Sequence, residues 1–142
     1  MVSFCMVVLQ QAISRDLEGK TMDEYTKEEL EKAREIISAT VGNCEKAQQK
    51  FLEGTPQYTL LQNRIKALNI SKSLVAAESL PDRYTKEELI DALRPLSSII
   101  SKCEKAQQKH APGNVYYTRL RNIIRAMHIC KALITEQIGK RE

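Results

Sequence analysis

Residues that could act as nucleophiles or metal ligands are few in this sequence and form no known catalytic pattern. Its 142 residues include four cysteines and two histidines, with no Cys-x-x-Cys pair. No Ser-His-Asp arrangement, glycine-rich phosphate loop or His-Glu-x-x-His pattern is present. The carboxylates cluster at predicted helix starts rather than at core spacing, which argues against a di-iron site. We therefore predict a protein that is not an enzyme and that uses no metal or cofactor.

The cysteines are predicted to be free thiols that pack as small apolar side chains. A reducing cytosol keeps thiols unpaired, and free Cys is among the most buried residue types. Cys44 and Cys103 allow a second interpretation, because they occupy equivalent positions of an internal repeat. A disulfide between them would require Cα atoms within about 7 Å of each other.

Basic side chains near the carboxyl end suggest a third kind of chemistry, the recognition of an anionic partner. The net charge is +4, and residues 76–142 supply the excess with twelve basic and eight acidic side chains. Residues 115–135 contain no acid, and their basic side chains are Arg119, Arg121, Arg125, His128 and Lys131. Such a helix could lie along nucleic-acid phosphates or an acidic protein. The alternative is a solvated basic face balanced by acids on the preceding helix.

A tandem duplication determines where all these residues must lie. The heptapeptide Cys-Glu-Lys-Ala-Gln-Gln-Lys occurs at 44–50 and again at 103–109, an offset of 103 − 44 = 59 residues. The same offset aligns residues 25–75 with 84–134 without a gap, and 25 of these 51 positions are identical. A repeat of this length predicts one supersecondary unit present twice.

Each repeat is predicted to be a helical hairpin. Thr26 to Glu29 and Thr85 to Glu88 match the capping box that begins a helix. Apolar residues at helical spacing then predict first helices over about 26–51 and 85–110, and second helices over about 56–76 and 115–137. Pro95 replaces Ile36 within the later first helix, so a kink or break is expected near residues 91–95.

The chain before the repeats is predicted to form one more helix. Its apolar residues recur at helical spacing at Val2, Met6, Leu9, Ile13 and Leu17. The apolar run is too short to span a bilayer, and no cationic flank precedes it as in a secretory signal. We therefore expect an amphipathic helix docked on the repeats in a cytoplasmic protein, with Met22 as an alternative start.

The fold class predicted from these elements is all-α. Residues 1–142 would form a single domain, in which repeats 22–78 and 79–142 build an antiparallel four-helix bundle and residues 1–21 add an N-terminal helix. The second helix of each repeat should be central, because its apolar residues cover more than one face. Alternatively, the repeats of one chain pair with those of a second chain.

Two amides in the repeated heptapeptide are predicted to hold the helices in register. Gln48 and Gln107 fall within the apolar stripe of the first helices, so their amides require buried partners. Asn63 and Asn122 are also repeated and flanked by apolar positions. We predict a polar lock between the glutamines and the asparagines.

The outward side of the heptapeptide is a second candidate contact surface. On a helix, its polar residues face solvent at Glu45, Lys46, Gln49, Lys50, Glu104, Lys105, Gln108 and Lys109. Their identity in both copies would fit a duplicated recognition surface. It also fits a solvated helix face that has not diverged since a recent duplication.

The sequence favours an interaction or structural protein that self-associates or binds a protein partner. The first alternative is nucleic-acid binding through the basic residues of the last helix. The second is a bundle that holds a hydrophobic ligand in a cavity lined by Ile65, Leu68, Ile124 and Met127. No membrane partner is expected.

Overall fold

Four α-helices make up most of the structure, a computed structural model that describes residues 24–76 and 84–140. They are α1 (Lys27–Gln48), α2 (Pro56–Val75), α3 (Lys86–Gln107) and α4 (Val115–Lys140). Within the described ranges there is no strand. Helices α1 and α3 both have 22 residues and begin 86 − 27 = 59 positions apart. The predicted helix within residues 1–21 lies outside the described residues.

Capping boxes begin α1 and α3, as the sequence predicts. The Thr26 hydroxyl accepts a hydrogen bond from the Glu29 amide at 3.0 Å, and the Glu29 carboxylate accepts one from the Thr26 amide at 3.0 Å. Thr85 and Glu88 make the same reciprocal pair at 3.1 Å. These bonds satisfy amides that have no partner inside the helix, so the register of both helices is fixed locally.

The turn inside each hairpin depends on a glycine. Gly54 and Gly113 have φ angles of 94° and 96°, in the region that side chains with a Cβ rarely adopt. The next helix then begins with a polar cap in each case: Thr55 Oγ1 accepts from the Tyr58 amide, and Asn114 Oδ1 accepts from the Tyr116 amide. The chain therefore reverses at equivalent places in the two repeats.

Helices α2 and α4 lie at the centre of the bundle. Helix α1 packs against α2 and α4, helix α3 packs against α2 and α4, and the two central helices contact each other. The core runs through all four helices, and Ile37, Leu68, Leu96 and Met127 have no exposed surface. Burial of apolar area of this kind is the main stabilising contribution to the fold.

Equivalent residues of the two repeats meet where the central helices touch. Ser71 and Cys130 are 130 − 71 = 59 positions apart, and both are fully buried. The Ser71 hydroxyl donates to the Ala67 carbonyl at 2.9 Å and also interacts with the Cys130 thiol. A polar pair therefore lies inside an otherwise apolar contact between α2 and α4.

Pro95 does not interrupt α3. The helix continues from Lys86 to Gln107 with Pro95 inside it, so the break considered near residues 91–95 does not occur. Proline has no N–H, and the α-helical hydrogen bond to the Asp91 carbonyl is therefore missing. The hydrogen bonds and buried residues on either side of Pro95 keep the helix continuous.

Candidate functional site

A groove lies between α2 and α3. Its volume is about 510 Å³. Helix α2 contributes Leu60, Asn63, Lys66, Ala67 and Ile70. Helix α3 contributes Glu88, Asp91, Ala92, Arg94, Pro95 and Ser98. Ala67 and Ala92 are buried where they line the groove.

The groove has apolar and charged parts. Leu60, which lines the groove, is 46% exposed. Lys66 Nζ lies 3.0 Å from Glu88 Oε2. Hydrogen bonds from Lys66 and from the Thr85 amide hold the pKa of the Glu88 carboxyl below its ordinary value. A partner that binds in the groove would thus meet an exposed apolar side chain together with charged side chains of both signs.

Arg64, on α2, does not line the groove but donates a hydrogen bond to the groove residue Ser98. Its side chain is buried, with only 9% of the residue exposed. Arg64 Nη2 donates to Ser98 Oγ at 3.0 Å, whereas Arg64 Nε is buried and has no hydrogen-bond partner within residues 24–76 and 84–140. A guanidinium stays protonated at any physiological pH, so this is a buried positive charge bonded to a neutral hydroxyl.

Two buried thiols lie within electrostatic range of Arg64. Cys44 on α1 and Cys103 on α3 are free thiols, and they are not joined in a disulfide. Burial raises the pKa of both thiols, and the nearby charges of Arg64 and Lys102 only partly oppose this effect. Both thiols are therefore protonated and neutral at pH 7. They do not neutralise the arginine.

The predicted polar lock is wrong in its partners. Gln48 Nε2 donates to the Tyr58 carbonyl at 3.5 Å, and Gln107 Nε2 donates to the Tyr117 carbonyl at 3.3 Å. The glutamines lie at the ends of α1 and α3, where the reversing chain brings the first turn of the next helix closest. Asn63 lies further along α2, is exposed and lines the groove. Asn122 is half-buried on α4.

The predicted basic residues do not share one environment on α4. Arg119, Arg121 and Arg125 are exposed, while His128 and Lys131 are half-buried. At 100° per residue, Arg119 lies on a different side of the helix from Arg121 and Arg125. No carboxylate of the described part of the chain forms an ion pair with these three arginines. Within the described residues these arginines are therefore not held by direct ion pairs.

The outward residues of the heptapeptide form two exposed patches, one at the end of α1 and one at the end of α3. All eight are exposed: Glu45, Lys46, Gln49, Lys50, Glu104, Lys105, Gln108 and Lys109. None of them lines the groove between α2 and α3. On the inward side of the first copy, Cys44 is buried and Ala47 and Gln48 are half-buried.

Neither the groove nor the burial of Arg64 was predicted from the sequence. The sequence did contain one indication that Arg64 is buried. Arg64 occupies the position where the second repeat has Ile123, and both lie among apolar residues. An arginine in an apolar stripe is unusual, because charged residues are rarely buried without a partner. Its contact with Ser98 depends on how α2 packs on α3, which the spacing within one helix does not reveal.

Other kinds of site receive no support from the described residues. They contain no group of three His, Cys, Asp or Glu side chains placed to hold a metal ion. None of the described helices is both long enough and apolar enough to cross a membrane. Leu68 and Met127, expected to line a ligand cavity, are fully buried, and neither lines the groove.

Comparisons of the chain with protein-family models, with curated proteins and with solved structures find no match. The functional interpretation therefore rests on the residues and geometry described above.

Proposed function

We propose that this protein is a helical-bundle interaction module that associates with a second copy of itself through the face containing the α2/α3 groove. The observation that supports this proposal is the composition of that face. It combines the exposed side chain of Leu60 with two cations and two carboxylates. Burial of exposed apolar area would drive association, and the charges would set the orientation.

The charges on this face are suited to contact with an identical face. Lys66 and Glu88 already pair within the chain. Arg94 and Asp91 also line the groove, and neither forms an ion pair with the described residues. In a two-fold dimer each residue of the patch can meet a different residue of the same patch. Arg94 of one copy would then pair with Asp91 of the other.

The duplicated architecture supports the same proposal. The equal offset of the helix starts and the contact of Ser71 with Cys130 are what a two-fold relation between the hairpins would produce. In this arrangement a repeat already pairs with its own copy inside one chain.

We propose that the N-terminal segment, residues 1–21, adds a further helix to this bundle.

The apolar part of the proposal is tested by measuring molecular mass with light scattering at micromolar concentrations. The wild-type chain is expected to give the mass of a dimer. Leu60→Glu is expected to give a monomer, because it places a charge in the apolar part of the interface. Leu52→Glu is the matched control, since Leu52 is 80% exposed in the turn between α1 and α2 and does not line the groove. A wild-type monomer would contradict the proposal.

The charged part is tested by exchanging the two unpaired residues. Arg94→Asp alone and Asp91→Arg alone are each expected to weaken the dimer, because each places like charges opposite each other across the interface. The double variant restores opposite charges and is expected to recover the dimer. If the double variant loses as much dimer affinity as the two single variants lose together, these residues do not face each other.

A second candidate function is nucleic-acid binding by α4, and one observation favours it. The exposed residues Arg121 and Arg125 are one helical turn apart, and no carboxylate of the described residues pairs with them. Phosphate groups could therefore approach both guanidinium groups.

This candidate is tested by fluorescence anisotropy with a labelled single-stranded and a labelled duplex DNA at low salt. Binding should weaken as salt increases, and replacement of both arginines by alanine should reduce the salt dependence. Lys46→Ala together with Lys50→Ala is the control on a different basic surface. No binding to either DNA at low salt would rule out this function.

A further inference from the structure

Arg64 makes only part of the interactions that its guanidinium can make. An arginine side chain has five N–H donors. Within the described residues Arg64 has one acceptor, Ser98 Oγ, and its buried Nε–H has none. A buried charge is costly unless an opposite charge or several hydrogen bonds compensate for it. Arg64 therefore favours an additional anionic partner.

Ser98 connects this buried charge to the groove. The Ser98 oxygen accepts from Arg64 Nη2, so the hydroxyl proton is available to donate. That proton has no acceptor among the described residues, and Ser98 lines the groove. A hydroxyl that accepts from a cation is a stronger donor, because each hydrogen bond in a chain polarises the next. The groove thus presents a hydroxyl donor with a positive charge directly behind it.

We infer that Ser98 and Arg64 form a binding site for one small oxyanion, a carboxylate or phosphate group, at the end of the α2/α3 groove that holds Ser98. The anion accepts a hydrogen bond from the Ser98 hydroxyl, and the charge of Arg64 stabilises it. Arg94, which lines the same groove and forms no ion pair with the described residues, adds positive charge near the entrance. This inference does not depend on self-association.

The carboxylates of the groove lie away from this end. Asp91 and Glu88 precede Ser98 by seven and ten residues on α3, which places them about 10 and 15 Å away along the helix axis. Glu88 is also engaged by Lys66 at 3.0 Å. The negative charge is therefore concentrated at the opposite end of the groove. A cation would be favoured there, and an anion is favoured at Ser98.

The test is thermal unfolding of the full chain at pH 7 with increasing sodium phosphate or sodium acetate, at ionic strength kept constant with sodium chloride. The melting temperature of the wild-type protein is expected to rise with one or both anions and to saturate, because a ligand that binds only the folded state stabilises it. A stronger response to phosphate identifies a phosphoryl group as the preferred ligand, and a stronger response to acetate identifies a carboxylate.

Two variants and one control make the test specific. Ser98→Ala retains the buried arginine and removes the donor, and Arg64→Met removes the charge while retaining a similar volume. Each is expected to lower the affinity for the anion by roughly 10- to 100-fold, as the loss of a charge-assisted hydrogen bond would. Arg34→Met, on the exposed surface of α1 and outside the groove, is expected to respond like wild type.

No saturable response to either anion would overturn the inference, and so would an unchanged response in Ser98→Ala. If Arg64→Met fails to fold, Ser98→Ala still decides the question. Molecular mass and anion response are measured on the same wild-type sample, so a monomer that still responds to the anion contradicts only the proposed dimer, and a dimer without a saturable response contradicts only the anion site. Failure of the proposed dimer and failure of the anion site are therefore distinguishable.

Discussion

Arg64 is the residue that most clearly distinguishes one repeat from the other. The second repeat has Ile123 at this position, so the charge of Arg64 has no equivalent there. The surrounding thiols of Cys44 and Cys103 remain neutral because burial raises their pKa. The residue equivalent to Ser98 is Ala39, so the site proposed at Arg64 and Ser98 depends on two positions at which the repeats differ.

Cys130 gives a prediction about pH. Burial raises the pKa of its thiol to about 12 from an ordinary value of 9.0, and the hydrogen bond with Ser71 only partly opposes this effect. Above about pH 9 the unfolded chain loses this proton while the folded chain retains it. The free energy of unfolding should therefore fall as pH rises from about 9 to 12, by up to about 1.4 kcal/mol per pH unit from this group.

Urea unfolding at pH 7 and at about pH 10 measures this effect. Cys130→Ala should lose less stability than wild type between the two conditions. Some alkaline loss remains in the variant, because burial also raises the pKa of Tyr25 to about 12. Equal losses in the two proteins would show that the Cys130 thiol does not contribute.

At the scale of the helices, α3 differs from α1 chiefly through Pro95. Both helices have capping boxes and end at the repeated heptapeptide. Pro95 removes the hydrogen bond to the Asp91 carbonyl, and both residues line the groove. The less regular helix of the two is therefore the one that forms a wall of the candidate site.

Substitutions at the two equivalent positions, 95 and 36, test how much this proline lowers the free energy of unfolding. Pro95→Ala is expected to raise the free energy of unfolding by about 1–2 kcal/mol, since it restores the missing hydrogen bond and loses only a half-buried ring. Ile36→Pro, at the equivalent position of α1, is expected to lower it by about 3 kcal/mol or more. Urea denaturation followed by circular dichroism measures both changes. Destabilisation by Pro95→Ala would mean that packing of the ring outweighs the hydrogen bond.

At the scale of the whole molecule, the two hairpins share one core. Helices α2 and α4 contact each other, and each also contacts both outer helices. Leu68 and Met127, at equivalent positions of the repeats, are both fully buried. A bundle with a continuous core of this kind is expected to unfold in a single cooperative transition.

Met127→Ala tests this cooperativity. Removal of a fully buried methionine side chain is expected to lower the free energy of unfolding by about 2–5 kcal/mol. Hydrogen exchange should show faster opening in α1 and α2 as well as in α3 and α4. Leu52→Ala is the control, because Leu52 is 80% exposed. Faster exchange confined to the second hairpin would show that the hairpins unfold separately.

Interactions close in sequence account for the features that were predicted correctly. Thr26 and Thr85 are three residues from their capping partners, so the motif alone specifies the bond. The glutamine amides were predicted to need partners, but the partners are carbonyls ten residues away across a turn. Their identity depends on the angle at which the chain reverses, and helical spacing contains no information about that angle.

Local patterns were sufficient to predict that the described residues are mainly helical and where their four helices begin, and the repeated residues show that one unit occurs twice in the sequence. Those properties depend on local hydrogen bonds and on apolar periodicity within a single helix. The groove between α2 and α3 and the burial of Arg64 with Ser98 as its acceptor depend instead on how the helices pack. These features arise from side chains 34 positions apart, which meet only when two helices pack at a particular register.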